Sequence, residues 1–366
     1  MPRTWQRSSG RTDVLLALLV TALIGGLLSL GLTRLAMYVA PRLAFLDRPG
    51  SEAHKQQARV VPYGGGPAMA LAFAIALPIG LWVFALRPNL LEAPAADHGA
   101  LWPVFVGAVI LLVMGAIDDR HALRARPKLL VQALVCALAV WGSDLAIDSL
   151  RPWPVLAYGL AWAWLVVVSN AYNLLDHADG MAAGCAVISA VVLLSGSLLA
   201  GDATLTLLWM ALIAVLVGYL WWNKPPARVY MGDAGSLPLG FLIGIGTLSV
   251  TFWPASTGGS PFALATPLLI TAIPLFDTGV VVVKRLRRKK PLMQGDRNHI
   301  SHRLTRLGLT PAATLTTVLS LHLALAVGAM QLRTGDSLAG GLVVLQAIAV
   351  LAAVLLLETS RDHGPQ

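Results

Sequence analysis

The sequence predicts an all-α, polytopic integral membrane protein with about 10 or 11 transmembrane helices. Of its 366 residues, 57% are hydrophobic and only 12% are charged, and the mean hydropathy is +0.72. Soluble globular domains carry about 25% charged residues. Apolar runs near the roughly 20 residues that cross a bilayer recur along almost the whole chain. We therefore expect a single transmembrane domain over residues 1–366.

Eleven apolar runs are predicted to be membrane spans. The first, from Val14 to about Leu32, is too long for the apolar part of a typical signal peptide, and no clear cleavage site follows it. The fourth and fifth runs are short, so a tilt or an interruption is expected near residues 141–154. The predicted spans are residues 14–33, 66–86, 101–117, 129–141, 155–169, 181–200, 205–221, 236–253, 263–283, 313–332 and 338–357.

The basic residues are distributed unequally between alternate loops. With eleven spans, 21 of the 27 Lys and Arg residues fall on the side of the loop from Arg34 to Tyr63. Cytoplasmic loops carry such an excess, so this side is predicted to face the cytoplasm. Membrane topology thus accounts for the +9 net charge, and we expect no nucleic-acid partner. The two cysteines, Cys136 and Cys185, lie in apolar surroundings, which favours packing over a disulfide framework.

Polar clusters gather on the predicted cytoplasmic face. An acidic residue within a bilayer costs about 2.5–3.5 kcal/mol, so acids that occur at span ends require a reason. The first cluster, residues 54–68, contains His54, Arg59 and three glycines at 64–66. These glycines form a tight turn whose backbone donors could face an anion, and an ordinary loop is the alternative.

Two adjacent carboxylates, Asp118 and Asp119, close the third span. Like charges side by side repel each other unless a cation is near, and a divalent metal or a basic group would relieve that repulsion. Basic residues from Arg120 to Lys128 follow directly. A solvated cap at the end of the span is the alternative interpretation.

The stretch after the fifth span repeats a polar residue every third position, at Asn170, Asn173, Asp176 and Asp179. On an α-helix these positions fan over about half the circumference. Such a helix cannot face lipid, so we expect it to line a watery cleft. Gly180 then relaxes the chain before the next span.

Asp233 stands between Gly232 and Gly235 at the beginning of the eighth span. Backbone amides at a helix N-terminus favour a phosphate, and the carboxylate can hold Mg²⁺ against it. Tyr230 offers a flat face for a base. A plain helix cap is the alternative here.

The last cluster begins inside an apolar run at Asp277, and an acid within a membrane is a functional candidate by default. Asp296, His299 and His302 again repeat a spacing of three, which favours chemistry. The six basic residues between 284 and 290 are expected to meet anionic lipid headgroups. Zinc is disfavoured because neither HExxH nor a cysteine pair occurs, whereas carboxylates and glycine turns suit Mg²⁺ and phosphates.

Taken in this order, the clusters resemble the polyprenyl-phosphate N-acetylhexosamine-1-phosphate transferase superfamily, over about residues 34–310. The family pattern DDxxxLxxxxKLxxQ is similar to the segment from Asp118 to Gln132. The pattern NxxNxxDGxDGLA is similar to the segment that starts at Asn170, and MGDxGS is reproduced from Met231 to Ser236.

Three positions depart from the family patterns. The late HxHH pattern is matched by His299 and His302, with Ser301 in place of the middle histidine. In the second pattern His177 replaces the usual glycine and Met181 the usual leucine. The missing histidine argues against the phospho-MurNAc-pentapeptide translocase subgroup.

The resemblance implies a reaction in which a polyprenyl phosphate attacks the β-phosphorus of a UDP-sugar, giving polyprenyl-diphosphate-sugar and UMP. We expect GlcNAc-1-phosphate transfer to undecaprenyl phosphate, with a cytoplasmic active site in a bacterial plasma membrane and Mg²⁺, or Mn²⁺ in its place, as cofactor. By resemblance, Asp233 and Asn173 hold the metal, and Asp118 and Asp119 lie by the lipid phosphate. A phosphate monoester is already largely ionised at neutral pH, its second pKa being about 6, so positioning is favoured over a base role.

The same resemblance implies which residues contact the nucleotide, diphosphate and sugar. His299 and His302 are expected on the diphosphate or sugar, and Tyr230 on uracil. His54 and Arg59 are further candidates on the same face. The remaining expected contacts are Asn170, Asn173, Asp176 and Asp179.

Two alternatives stay open on the sequence. One is a related enzyme for another donor, either a phospho-MurNAc-pentapeptide transferase or another UDP-HexNAc-1-phosphate transferase. The other, from a different class, is a secondary transporter, whose acids bind coupling ions near the membrane midplane. Clustering of the acids at one face and the lack of a visible internal repeat argue against a transporter. The oligomeric state is undetermined, with a homodimer as one alternative.

Overall fold

The computed structural model describes residues 8–47, 60–86, 101–249, 261–291, 299–334 and 336–359, and these residues are almost entirely helical. Short strands β1 (Leu46–Asp47) and β2 (Val61–Pro62) pair antiparallel, with Leu46 opposite Pro62. The helices are α1 (Ser8–Val39), α2 (Gly65–Ala85), α3 (Trp102–Arg120), α4 (Ala125–Gly142), α5 (Pro154–Leu175), α6 (Met181–Ala200), α7 (Ala203–Asn223), α8 (Asp233–Ser249), α9 (Thr266–Ile270), α10 (Ala272–Arg287), α11 (Ile300–Arg306), α12 (Pro311–Thr334) and α13 (Ser337–Thr359).

The helices confirm the predicted all-α membrane fold. Within the described ranges, nine helices are long and apolar enough to cross a membrane, namely α1 to α7, α12 and α13. Each of the eleven predicted spans coincides with a helix or with a bent helix pair, and α8 has 17 residues. The fourth and fifth spans are not short, since α4 has 18 residues and α5 has 22. A loop with the 3-10 turn Asp148–Leu150 separates them, near the expected interruption.

The ninth predicted span is broken rather than continuous. The segments Pro261–Ile270 and Ala272–Arg287 meet at an angle of 78°. Pro274 has no backbone N–H, so it cannot donate to the carbonyl of Ile270 as a continuous helix would require. The hydroxyl of Ser189 on α6 donates to that carbonyl instead, at 2.6 Å. The same hydroxyl lies 3.0 Å from Nε2 of His322 on α12, so the break is fastened to two neighbouring helices.

Helix α8 is the centre of the bundle, with 13 of its 17 residues buried. Glycines allow its neighbours to approach its backbone. A Cβ on Gly115 of α3 would lie 2.3 Å from the carbonyl carbon of Asp233, and one on Gly240 would lie 2.8 Å from the Cβ of Tyr172 on α5. Ser169 of α5 also donates a hydrogen bond of 2.9 Å to the carbonyl of Leu237. This packing brings the ends of α3 and α5 beside the start of α8.

The glycine turn before α2 has a structural role, and the expectation that its donors face an anion is wrong. The N–H groups of Gly65 and Gly66 donate to the carbonyls of Tyr230 and Met231, at 3.0 and 3.2 Å. Gly64 adopts a φ of +129°, and a Cβ on Gly66 would lie 2.5 Å from the backbone nitrogen of Gly235. The turn therefore fastens α2 to the segment that leads into α8. Cys136 and Cys185 are both buried and free, as expected.

Candidate active site

A carboxylate and lysine cluster lies where α3, α4 and α8 meet. Lys128 donates from Nζ to Oδ2 of Asp118 at 2.8 Å and also to Oδ2 of Asp233. Asp118 accepts in addition from the N–H of Leu123, at 2.7 Å. Lys128 therefore supplies the cation that the adjacent carboxylates were expected to need. Residues 105 apart in the chain meet in this pair.

Asp119 has a different set of partners from Asp118. Its carboxylate accepts from the backbone N–H groups of Asp233 and Ala234, at 2.7 and 3.1 Å. These are the first amides of α8, so the expectation that they face a phosphate is not met. Gly232 has a φ of +65°, and a Cβ there would lie 2.3 Å from Oδ2 of Asp119. Only a glycine leaves room for this carboxylate at the helix start.

Asn173 of α5 contacts the same aspartate from another side. Its Nδ2 donates to Oδ1 of Asp233 at 2.7 Å and to Oγ of Ser236 at 2.9 Å. The two residues expected to hold a metal are thus in direct contact. Carboxylate and amide oxygens are the hard ligands that Mg²⁺ prefers, so the donors present fit this ion.

The segment after α5 is a turn, and the expected helical continuation to Asp179 is wrong. Helix α5 ends at Leu175, and Gly180 has a left-handed φ of +72°. Asp179 accepts from the N–H of Ala227 at 2.8 Å, and the N–H of Gly180 donates to Oδ1 of Asn223 at 2.9 Å. These contacts with the last residue of α7 and the loop after it hold Asp179 and Gly180 in place. The turn satisfies backbone groups that a longer helix would have paired internally.

The turn carries two acids whose pKa values are raised. Burial, followed by the charges of Asp233 and Asp119, raises the pKa of Asp176 well above its ordinary value. Burial also raises the pKa of Asp179, against the effect of the hydrogen bond from Ala227. Asp176 therefore belongs electrostatically to the carboxylate cluster, where a cation would favour its charged form.

Asn170 and Tyr230 border the cluster with side chains that already have protein contacts. The Nδ2 of Asn170 donates to Oε1 of Gln132 at 2.7 Å and to the carbonyl of Val166 at 2.8 Å, which joins α5 to α4. The ring of Tyr230 is tilted by 56° against that of Tyr63, with centroids 6.3 Å apart. Burial raises the pKa of the Tyr230 hydroxyl. Contacts of both residues with a substrate stay predictions.

A histidine cluster lies on the other side of the 176–180 turn. Asp277, 1% exposed, accepts from Nδ1 of His299 at 2.7 Å and from the N–H of Ile300 at 2.6 Å. Arg303 donates to the same carboxylate at 3.3 Å. With Nδ1–H donated to Asp277, the Nε2 of a neutral His299 is an acceptor. Asp277 thus orients His299 and anchors the start of α11.

His177 joins this cluster, although it was not predicted to be a site residue. Its ring stacks on that of His299, with centroids 4.2 Å apart, and lies 5.5 Å from that of His302. Burial and the nearby His299 lower the pKa of His177 to about 3. The available signal was an imidazole next to Asp176, at a position where the family pattern has glycine. Because Asp176 and His177 are consecutive, one turn connects the two clusters.

Some expected residues lie elsewhere. Arg285 does not face lipid headgroups as expected, since it is 5% exposed and its Nη1 donates to the carbonyl of Pro291 at 2.8 Å. The neighbouring basic residues from Arg287 to Lys290 are exposed. His54, Arg59 and Asp296 lie outside the described residues.

The sequence of the chain is similar to those of known proteins. Residues 101–251, which include α3 to α8, match the family described as Glycosyl transferase family 4. The chain is 30% identical over 285 residues to an undecaprenyl-phosphate alpha-N-acetylglucosaminyl 1-phosphate transferase of Thermotoga maritima, covering 76% of this chain and 79% of the relative. It is 29% identical over 325 residues to a Bacillus subtilis protein named "probable undecaprenyl-phosphate N-acetylglucosaminyl 1-phosphate transferase", covering 86% and 85%.

A third relative is more distant. It is the undecaprenyl-phosphate alpha-N-acetylglucosaminyl 1-phosphate transferase of Escherichia coli K12, 26% identical over 289 residues, which covers 75% of this chain and 73% of the relative. The first relative combines 30% identity with coverage of more than two thirds of both chains. The chain therefore belongs to glycosyltransferase family 4, the polyprenyl-phosphate N-acetylhexosamine-1-phosphate transferase superfamily that its motifs predicted.

Proposed function

We propose that the protein transfers GlcNAc-1-phosphate from UDP-GlcNAc to undecaprenyl phosphate at the cytoplasmic face of a bacterial plasma membrane. A phosphate oxygen of the lipid bonds to the β-phosphorus of the donor while the bond from that phosphorus to the UMP oxygen breaks. The products are undecaprenyl-diphosphate-GlcNAc and UMP. The names of the relatives support the acceptor and the sugar, and the motif resemblance supports the uridine nucleotide.

One observation carries the proposal. Asp118 and Asp233, from different helices, bind the ammonium group of Lys128, and Asp119 and Asn173 both contact Asp233. Both proposed substrates are anionic and one is embedded in lipid, so their reaction needs a polar site at the end of membrane helices. Phosphoryl transfer depends mainly on positioning and on neutralising charge. A cluster with this composition at helix ends suits both needs.

Mg²⁺ is the cofactor that this donor set fits. Asp233 and Asn173 would hold it, and Asp118 is a further carboxylate within reach of the same lysine. When bound, the ion would neutralise charge on the diphosphate. Two carboxylates, those of Asp118 and Asp233, share the ammonium group of Lys128, so these three side chains when ionised carry a net negative charge that favours a cation.

The two adjacent aspartates have separate roles in this proposal. Asp119 is a positioning residue, since both of its oxygens accept from the amides that begin α8 and so hold Asp233 in place. Asp118 orients Lys128 and the loop that begins after α3. We assign Lys128 to the phosphate of the lipid. A base is not required, because the lipid phosphate is largely ionised at cytoplasmic pH, its second pKa being about 6.

The histidine cluster is assigned to the sugar-diphosphate side of the same cleft. His299 is held by Asp277 in a single orientation, with an acceptor nitrogen left for a hydroxyl of the sugar or a donor group. His302 lies 5.5 Å from His177, ring centre to ring centre, across the cluster. Asp176 and Asp179 lie between the two clusters and are assigned to the nucleotide.

A donor panel tests the proposal. Membranes containing the protein are incubated with undecaprenyl phosphate and labelled UDP-GlcNAc, UDP-GalNAc or UDP-MurNAc-pentapeptide, with Mg²⁺, with Mn²⁺ or with EDTA. We expect lipid-linked label and stoichiometric UMP from UDP-GlcNAc, and loss of both with EDTA. If only UDP-MurNAc-pentapeptide gave a product, the proposed donor UDP-GlcNAc would be wrong. A full yield of product in EDTA would show that no divalent metal is required. Uptake of donor into vesicles without a lipid-linked product would favour a transporter.

A further inference from the structure

His177 has hydrogen-bond partners for both of its ring nitrogens. Nδ1 lies 2.8 Å from the carbonyl of Leu174, which can only accept, so Nδ1 carries the proton of the neutral ring. Nε2 is then an acceptor, and the hydroxyl of Ser301 donates to it. These contacts select one tautomer and one orientation of the ring.

The ring of His177 also occupies a defined place between other imidazoles. It stacks on His299 at 4.2 Å with an angle of 26° between the ring planes, and it lies 5.5 Å from His302. Ser301, which is 6% exposed, stands between His299 and His302 in the chain. The imidazole of residue 177 therefore fills the space beside residue 301, although the two residues are 124 positions apart.

These two residues are also two of the three departures from the family patterns. Residue 177 has an imidazole where the pattern has glycine, and residue 301 has a hydroxyl where the pattern has histidine. In the structure, the imidazole of His177 lies beside Ser301, the position at which the pattern has a histidine. Two independent replacements would have no reason to be in contact.

We propose that His177 and Ser301 are a reciprocal exchange, in which His177 supplies from the α5–α6 turn the third imidazole of the sugar-diphosphate site. Ser301 is small enough to admit this ring and orients it through its hydroxyl. The proposal rests on the proposed function for the identity of the ligand, but the spatial exchange is independent of it.

A metal at this cluster is the competing interpretation. One ligand atom each from His177, Asp277 and His299 lies within 4.8 Å of the others. However, both oxygens of Asp277 are engaged by His299, Ile300 and Arg303, and both nitrogens of His177 are engaged as described. The carboxylate of Asp277 and both nitrogens of His177 are thus already used in hydrogen bonds, which favours a hydrogen-bonded cluster of rings.

The test is a double-mutant cycle with wild type, His177→Gly, Ser301→His and the variant that carries both changes. We expect His177→Gly to lower kcat/KM by about tenfold or more, because a ring of the site is lost. Ser301→His alone should also lower it, since a second ring would enter a space that His177 fills. The double variant should recover to within about threefold of wild type, because one imidazole again occupies the site.

Thermal unfolding in detergent provides a readout that does not need the reaction. Each single variant should unfold at a lower temperature than wild type, and the double variant should recover. Ser301→Ala, which removes the hydroxyl without adding a ring, is the matched control and should show no recovery when combined with His177→Gly.

Two outcomes would overturn the proposal, and a third would separate it from the proposed function. A double variant no better than the worse single variant, in both stability and kcat/KM, would show that the two positions are not exchangeable. Zinc that co-purifies with wild type and is lost in His177→Gly would favour the metal. A transferase-inactive wild type whose stability cycle still recovers would reject the proposed function while supporting the exchange.

Discussion

Asp233 contacts side chains from three other helices of the candidate site. It accepts from Lys128 and Asn173, and its own backbone N–H is held by Asp119. Its side chain is 23% exposed, so a ligand can reach it. A carboxylate in this position contributes more to binding a charged ligand than to packing of the protein interior.

Replacing Asp233 by alanine is expected to abolish transfer while leaving the protein folded. Removing a group that stabilises transition-state charge costs about 10²–10³ in kcat. Release of UMP and elution from gel filtration check the two halves of this prediction. Asp148→Asn is the control, since Asp148 is exposed and pairs with Arg151. Full activity of the Asp233→Ala variant would reject the metal assignment.

Replacing Asp119 by alanine is expected to lower the stability of the protein. Asp119→Ala leaves the N–H groups of Asp233 and Ala234 without their acceptor, at a cost of about 1–3 kcal/mol for a buried unsatisfied group. The unfolding temperature of Asp119→Ala should therefore be lower than that of wild type, and its transferase activity should also be lower. Equal unfolding temperatures for wild type and Asp119→Ala would show that the carboxylate does not hold the helix start.

The lowered pKa of His177 predicts a loss of stability in acid. The ordinary pKa of histidine is 6.5 and that of His177 is about 3, because of burial and of the nearby His299. Asp277 acts in the opposite direction and His302 in the same one. Below pH 6.5 the unfolded chain binds a proton that the native chain does not, so stability falls as pH decreases.

The size of this effect is at most about 1.4 kcal/mol for each pH unit below 6.5. Unfolding temperatures of wild type and His177→Gln between pH 7.5 and 5.5 measure it, and the variant should lose less stability than wild type. The raised pKa values of Asp176 and Asp179 act the other way in both proteins and cancel in the comparison. Parallel curves would contradict the lowered pKa.

At the scale of elements, the approach of α3 to α8 decides the geometry of the carboxylate cluster. Gly115 lies against the backbone of Asp233, where a Cβ would come within 2.4 Å of the nitrogen of Ala234. Backbone atoms cannot move aside as a flexible side chain can. The distance between Asp119 and the start of α8 therefore depends on a glycine one turn earlier in α3.

Gly115→Ala should separate α3 from α8 and lower both activity and stability. The expected loss of stability is about 1–3 kcal/mol, as for other overpacked interiors. Gly159→Ala in α5 is the matched control, because a Cβ there meets nothing within 4 Å. Alanine is the better helix former by about 1 kcal/mol, so this control should be neutral or stabilising. Similar unfolding temperatures for the two variants would contradict the close approach.

At the scale of the molecule, the site uses helix ends that alternate along the chain. The ends of α3 and α5 and the starts of α4, α6 and α8 surround it, as alternation of spans requires. The same alternation assigned 21 of the 27 Lys and Arg residues to one side. We therefore expect the site and the basic loops to share the cytoplasmic side.

Single cysteines introduced at exposed positions test this sidedness. His121→Cys, Lys224→Cys and Lys289→Cys should react with a membrane-impermeant thiol reagent only after the cytoplasmic side is opened. Asp144→Cys and Arg151→Cys should react from the outside of intact cells. Native Cys136 and Cys185 are buried and should give little background. Reaction of His121→Cys and Lys224→Cys from opposite sides would reject the single-face site.

The helices, the order of the motifs and the family could all be predicted from the sequence. A membrane span must pair its backbone groups within its own helix, so hydropathy locates it without knowledge of its neighbours. The motifs likewise identified Asp118, Asp233 and Asn173, because the family patterns carry these positions. The break in the ninth span was not predicted, because the carbonyl of Ile270 that it leaves without a helical donor is satisfied by Ser189 of another helix.

Which side chains are in contact could be assigned only from the positions of the helices in three dimensions. The end of α5 at Leu175, the amides held by Asp119 and the pairing of His177 with Ser301 all depend on how separate helices are placed. A hydrogen bond between residues more than 100 positions apart has no periodic signature in the chain. The spacing of three in residues 170–179 suggested a continuous helix, but contacts with the loop after α7 stabilise a turn instead. The spacing of residues along the chain indicates which face of a single helix is buried. The site depends on contacts between different helices, which this spacing does not predict.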